Sequence, residues 1–329
     1  MSETANYSAG PLLEVKKLKK YFPIRKGLLG KVSNYVRAVD DVSFSIASGK
    51  TLGLVGESGC GKTTTGRSII RLIEPSGGEV LFKGVNAIDL KGEGLREFRR
   101  NAQIVFQDPY SSLNPRMTIG GMIGEILRFH KIVPRNQIID KTADILQKVG
   151  LSPKYINRYP HEFSGGQRQR IGIARALSVE PEFIVLDEPV SALDVSIQAQ
   201  ILNLLIDLRT HMNLTYLFIA HDLSVVEHIS DQIGVMYLGR IVESGSAQDI
   251  INNPLHPYTV ALLEAVPHPD PDLRRDRELL TGDVPSPANP PAGCHFHPRC
   301  PKATAECSAW QYKLTDKGNG RKTACLLYE

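Results

Sequence analysis

The chain has 329 residues, a charged content of 22% and a formal net charge of +4. That length buries a sizeable core without covalent staples and suits about two domains, while so mild a charge gives no reason to expect nucleic acid as a partner. The opening MSETANYSAG carries no basic, apolar leader and no apolar run nears the ~20 residues of a membrane-spanning helix, so the expectation is a cytoplasmic chain, where structural disulfides are rare.

Near the N-terminus, VRAVDDVSFSI and GEVLFKG alternate polar and apolar residues beside Gly-rich turns, which predicts antiparallel strands. Five short apolar runs follow along the chain: Thr51–Val55, Gln103–Phe106, Phe183–Asp187, Thr215–Ala220 and Gln232–Leu238. Separated by helix-like segments, they predict an α/β fold with a buried parallel sheet. Between Gln107 and Phe163 the strand pattern fades. There NQIIDKTADILQKVG sets Ile138, Thr142, Ile145, Leu146 and Val149 on one helical face, with Gly150 as the stop, so a helical insert is expected in the core. Beyond about Pro267 the Pro-rich VPHPDPDLRRD and VPSPANPPAG predict a linker or a loop-dominated module.

The first apolar run enters GESGCGKTT: Gly56, Glu57, Ser58, Gly59, Cys60, Gly61, Lys62, Thr63 and Thr64. This is the G-x-x-x-x-G-K-[ST] phosphate loop between a strand and a helix. Its glycines let backbone N–H groups turn in on phosphate oxygens, and the helix points its positive end at the anion. Lys62 then reaches the β- and γ-phosphates, and the Thr63 hydroxyl ligates Mg²⁺. Cys60 occupies a variable slot and reads as a small filler. Further on, FIVLDE ends a buried strand in two acids, at the sheet edge where ligands bind in open α/β folds. Asp187 is expected to hold the Mg²⁺ shell, and Glu188 to polarise the attacking water as general base. Before it, FSGGQRQRIGIARAL opens a helix on a Ser-Gly-Gly turn, a second anion cradle. One nucleotide needs only one cradle, so two of them suggest that each nucleotide lies between two face-to-face protomers.

In order, GESGCGKT, VFQDP, FSGGQ, FIVLDE, SALD and AHD resemble the six motifs of the ATP-binding-cassette (ABC) ATPases, and the resemblance covers about residues 12–265. Phe163 stands where that family often has Leu. The resemblance implies an α/β, RecA-like P-loop core with an antiparallel β subdomain and a helical subdomain at about 108–178. It also implies that Gln107 reaches the Mg²⁺ and water region, and that His221 contacts the γ-phosphate and holds Glu188. Ser164, Gly165, Gly166 and Gln167 would meet the partner's ATP, and Asp194 would act across the dimer interface. Tyr21 is the expected adenine-stacking residue, with Phe22 as the alternative.

The Thr63–Ser164 gap is too short for the coiled coils of chromosome ATPases, the chain has one cassette, and no membrane helices are fused to it. The remaining reading is a separate ATPase subunit. QDPYSSLNPRMTIG and the tail from NNPLHPYTVALLEAVPHPDP to GCHFHPRCPKATAEC resemble the ATPase subunits of oligopeptide, dipeptide and nickel importers. That implies two integral-membrane permease subunits, a homodimer or a heterodimer with a second ATPase subunit, an external peptide-binding protein, and a place on the inner face of the membrane. The permeases are expected to grip a groove near Gln107 and Tyr110–Met117.

The tail, 266–329, is expected to be a small irregular Cys-rich module. Its cysteines, Cys294, Cys300, Cys307 and Cys325, are spaced C-x5-C-x6-C-x17-C. No pair makes the C-x2-C knuckle of zinc ribbons, and four thiolates suit an iron–sulfur cluster. The spacing alone leaves zinc open, with His295 or His297 as further ligands, and leaves free thiols open too. The subfamily resemblance implies a [4Fe–4S] cluster.

Overall fold

Two long strands open the chain, β1 (Leu13–Lys26) and β2 (Lys31–Ile46). Then come β3 (Thr51–Val55), α1 (Lys62–Ile69), β4 (Gly77–Phe82), β5 (Val85–Asn86), α2 (Gly92–Asn101), β6 (Ala102–Val105), α3 (Ile119–Phe129) and α4 (Ile138–Lys148). The second half runs α5 (Gly165–Leu177), β7 (Phe183–Asp187), α6 (Val195–Met212), β8 (Thr215–Ala220), α7 (Leu223–Ile229), β9 (Gln232–Tyr237) and β10 (Arg240–Ser246). It closes with α8 (Ala247–Asn252), α9 (Pro257–Glu264), β11 (Thr315–Asp316) and β12 (Lys322–Thr323). This is a computed structural model that describes residues 10–27, 30–108, 112–265 and 282–329. Tyr110 of the expected permease groove lies outside them.

The chain forms two compact units, one from the described residues of 1–46, 51–88 and 220–329, the other from 47–50 and 89–219. In the first, β2, β1, β4 and β5 make an antiparallel sheet. A second sheet pairs β3 with β9 in parallel, then β9 with β10, β10 with β12 and β12 with β11, all antiparallel. The described part of the tail, 282–329, falls within this unit. The reason is physical, because β12 completes the β10 edge, the Ala324 N–H donates to the Val242 carbonyl, and the Tyr312 hydroxyl donates to the Ile241 carbonyl.

In the second unit β6, β7 and β8 run parallel. All residues of β7 and β8 are buried, as strands covered on both faces must be. The helical stretch holds α3, α4 and α5, and α4 buries Ile138, Thr142, Ile145 and Leu146, the face that its 3.6-residue period predicts. Among the described residues no helix is long and apolar enough to cross a membrane.

Candidate functional site

The phosphate loop leaves buried β3 and turns into α1 at Gly61. Gly61 has φ 109°, and a Cβ there would stand 2.0 Å from the Ala38 carbonyl oxygen, so both dihedral and space require glycine. Lacking a side chain, Gly61 cannot cap α1, and the first-turn N–H groups have no acceptor within the helix. That is the donor set a phosphate needs. Lys62 is 4% exposed, and its Nζ donates to the Gly56 carbonyl at 2.7 Å and the Glu57 carbonyl at 3.0 Å. Cys60 is buried with its Sγ 3.7 Å from that ammonium, and burial pushes its thiol pKa up. Ser58 and Gly59 are exposed, and Thr63 and Thr64 half-buried.

Glu57 is tied to the C-terminal region. Its N–H donates to the Tyr258 hydroxyl at 2.8 Å, and its carboxylate accepts from both terminal nitrogens of Arg299 at 2.7 and 3.0 Å. Nothing in the sequence pairs residues 242 positions apart.

Tyr21 and Phe22 are consecutive in β1, so they project to opposite faces. The Tyr21 hydroxyl donates to Asp40 Oδ1, while Asp40 Oδ2 accepts from Arg240 Nε at 3.0 Å and Nη2 at 2.7 Å. Burial and the Asp40 bond push the Tyr21 hydroxyl up to about 12. Phe22 is 37% exposed, with the Lys20 ammonium 4.9 Å above its ring. Tyr21 is thus held in place by the Asp40–Arg240 network, and Phe22 is the more exposed ring of the pair.

In the second unit, Gln107 Nε2 donates to Glu188 Oε2 at 2.8 Å. β7 delivers Asp187, 1% exposed, to its end. The next residue, Glu188, has φ 47°, and its N–H donates to the Ile219 carbonyl at 3.0 Å. A carboxylate residue held at positive φ marks a position fixed by its surroundings. Ser164 caps α5: its Oγ accepts from the Gln167 N–H at 3.4 Å, and Gln167 Oε1 accepts from the Ser164 N–H at 3.1 Å. A Cβ on Gly166 would stand 2.5 Å from Ile197 Cγ2, so α5 approaches α6 directly behind the Ser-Gly-Gly turn, where Gly165 also stands. Asp194 caps α6, accepting from the Ile197 N–H at 3.0 Å and the Ser196 hydroxyl at 2.9 Å. These bonds hold its carboxyl below the usual range. His221 belongs to the first unit, exposed just after β8, and Asp222 beside it caps α7.

Cys294, Cys300, Cys307 and Cys325 line one pocket with His256, Phe296 and His297. None of the four is in a disulfide. Burial, then the neighbouring cysteines against the Phe296 N–H, leaves Cys294 raised to about 11. His297 Nδ1 lies 2.8 Å from the Cys294 carbonyl oxygen. His295 does not line the pocket; burial and Arg240 hold its pKa down to about 4. Fully buried His256 accepts the Tyr258 N–H on Nδ1 at 3.1 Å, so the neutral ring carries its proton on Nε2, which has no partner among the described residues. Among the described residues no three His, Cys, Asp or Glu are grouped as one metal ion requires.

Residues 39–191 match the family model "ABC transporter", and residues 242–307 match "Oligopeptide/dipeptide transporter, C-terminal region". The oligopeptide transport ATP-binding protein AppF of Bacillus subtilis is 53% identical over 320 residues, which span 96% of this chain and 97% of AppF. The dipeptide transport ATP-binding protein DppF of Haemophilus influenzae is 51% identical over 316 residues, 96% of each. Among solved structures, the ATP-binding cassette MJ0796, a dimer in a post-hydrolysis state bound to ADP and Pi, superposes with a TM-score of 0.63 at 27% identity, over 71% of this chain and 98% of that one. Likeness on this scale, over a chain that carries the phosphate loop and the four-cysteine tail together, places the protein in the ABC transporter family, among the ATP-binding proteins with the oligopeptide/dipeptide C-terminal region.

Proposed function

We propose that this chain is the ATP-hydrolysing subunit of a peptide importer, seated on the cytoplasmic face of two membrane permeases and served by an external peptide-binding protein. The names of AppF and DppF support peptides as the cargo. Residues 12–265 act as the cassette and 266–329 as its C-terminal module. ATP closes two cassettes, identical or paired with a second ATPase subunit, and Ser164, Gly165, Gly166, Gln167 and Asp194 serve the partner's nucleotide. The dimeric state of MJ0796 supports that reading.

The observation that carries the chemistry is the 2.8 Å bond from Gln107 to Glu188. Donation by the amide orients the carboxylate that is to accept a proton from the attacking water. His221 contacts the γ-phosphate and holds Glu188 in place. Lys62 releases the two loop carbonyls to take the β- and γ-phosphates, Thr63, Gln107 and Asp187 would hold Mg²⁺, and Tyr21, with Phe22 as the alternative, stacks on adenine. The Mg²⁺ neutralises phosphate charge during transfer. Glu188→Gln should bind ATP like the parent and hydrolyse it about a hundred-fold more slowly. Near-parental turnover in purified E188Q would sink the assignment.

We further propose a [4Fe–4S] cluster in the four-cysteine pocket. Four thiols around one pocket fit the donor set, and the orphaned His256 N–H suits a sulfur acceptor. Zinc is the alternative occupant of the same thiols. The cluster would tie together a tail poor in apolar residues. Anaerobically purified protein should contain iron and sulfide; stoichiometric zinc without iron would overturn this.

A further inference from the structure

Every polar group of Glu57 is engaged. Its carbonyl accepts from Lys62, its N–H donates to the Tyr258 hydroxyl, and its carboxylate accepts both Arg299 nitrogens. Two of the three partners come from outside the phosphate loop. Arg299 lies between Cys294 and Cys300 in sequence, and its side chain is 5% exposed. A solvated pair would contribute little, but a two-pronged pair this dry holds its partner in one orientation. Behind it, the Arg299 N–H donates to the Phe296 carbonyl at 3.0 Å, and the Phe296 ring packs 5.3 Å from both Tyr237 and Tyr258. Phe296 and His256 in turn line the cysteine pocket.

A loop rich in glycine does not fix its own peptide planes. The Glu57 carbonyl is one of the two places where Lys62 rests, so its direction governs how the ammonium is presented to an incoming phosphate. The Glu57 carboxylate also stands at the phosphate loop, where an uncompensated negative charge would repel a nucleotide; Arg299 neutralises it.

We infer that Arg299 and Tyr258 are positioning residues for the phosphate loop, and that through them the cysteine-bearing tail sets the affinity for the phosphate chain of the nucleotide. This rests on the cassette reading above. The test uses the full chain, equilibrium titration with ATP and ADP, steady-state hydrolysis and thermal unfolding. Arg299→Ala should weaken ATP and ADP roughly ten-fold while kcat at saturating ATP stays within about two-fold. Arg299→Lys should recover part of the affinity. Glu57→Gln combined with Arg299→Ala should bind no worse than Arg299→Ala alone, because both changes break one link. Parental affinity in a folded Arg299→Ala, or fully additive losses in the pair, would overturn the inference. If Arg299→Ala fails to fold, Tyr258→Phe keeps the ring and removes only the hydroxyl; it should weaken ATP about three-fold, and unchanged affinity there also overturns it. A parental chain that binds no ATP would instead remove the cassette reading itself.

Discussion

Phe22 and Tyr21 differ by one position and by what their rings are free to do. Tyr21 spends its hydroxyl on Asp40, whereas Phe22 keeps an exposed face. Stacking between a base and an aromatic ring is worth about 1–3 kcal/mol, so Tyr21→Ala should raise the Kd for ATP roughly ten-fold. Phe22→Ala should leave the Kd near parental; the reverse ranking in a titration would move the role to Phe22. The sequence puts Tyr21 first and Phe22 second, but it does not show what holds Tyr21, because Asp40 and Arg240 reach it only through the fold. The six cassette motifs were legible residue by residue, since each does its chemistry within a few consecutive positions. Arg299 and Tyr258 were not, because they gain meaning only from contact with Glu57.

Among the elements, β2 and β10 are joined by the Asp40–Arg240 pair. Burial opposes ionisation of Asp40, but hydrogen bonds from Tyr21 and Arg240 outweigh it and hold the carboxyl below its ordinary value. A folded pKa below the unfolded one gives stability that is complete above about pH 4 and lost as pH falls through the folded value. Arg240→Ala should therefore cost about 3 kcal/mol at pH 7, and less at pH 3, where the carboxylate it strands is protonated in both states. Urea unfolding at both pH values checks this; an equal deficit at each would refute it. The parallel strands were readable because β3, β7 and β8 are unbroken apolar runs. β1 was not read at its 14-residue length, since LEVKKLKKYFPIRK carries six Lys and Arg and only its early positions alternate. β11 and β12 are two residues each, too short to leave any period.

Taken as a whole molecule, the chain joins an energy-converting core to a tail whose thiols outnumber its large apolar residues facing the pocket. If the four cysteines share one cluster, Cys300→Ser should lower the iron bound per chain and expose residues 282–329 to limited proteolysis, while the cassette motifs persist. An unchanged iron content and cleavage pattern would argue that the thiols act separately. The tail's cysteine spacing was plain in the sequence; its inclusion in the first unit was not, because that follows from backbone pairing with β10 and from the buried Glu243, which accepts from Arg321 at 3.1 Å and from the Leu255 and His256 N–H groups at 2.9 Å.

The pairing of β12 with β10 has one more consequence. Deleting the tail would bare the β10 edge, a row of main-chain donors and acceptors able to recruit the same strand from another copy. A shortened cassette would then be prone to self-association, and the residues that look like an appendage act as a guard against aggregation.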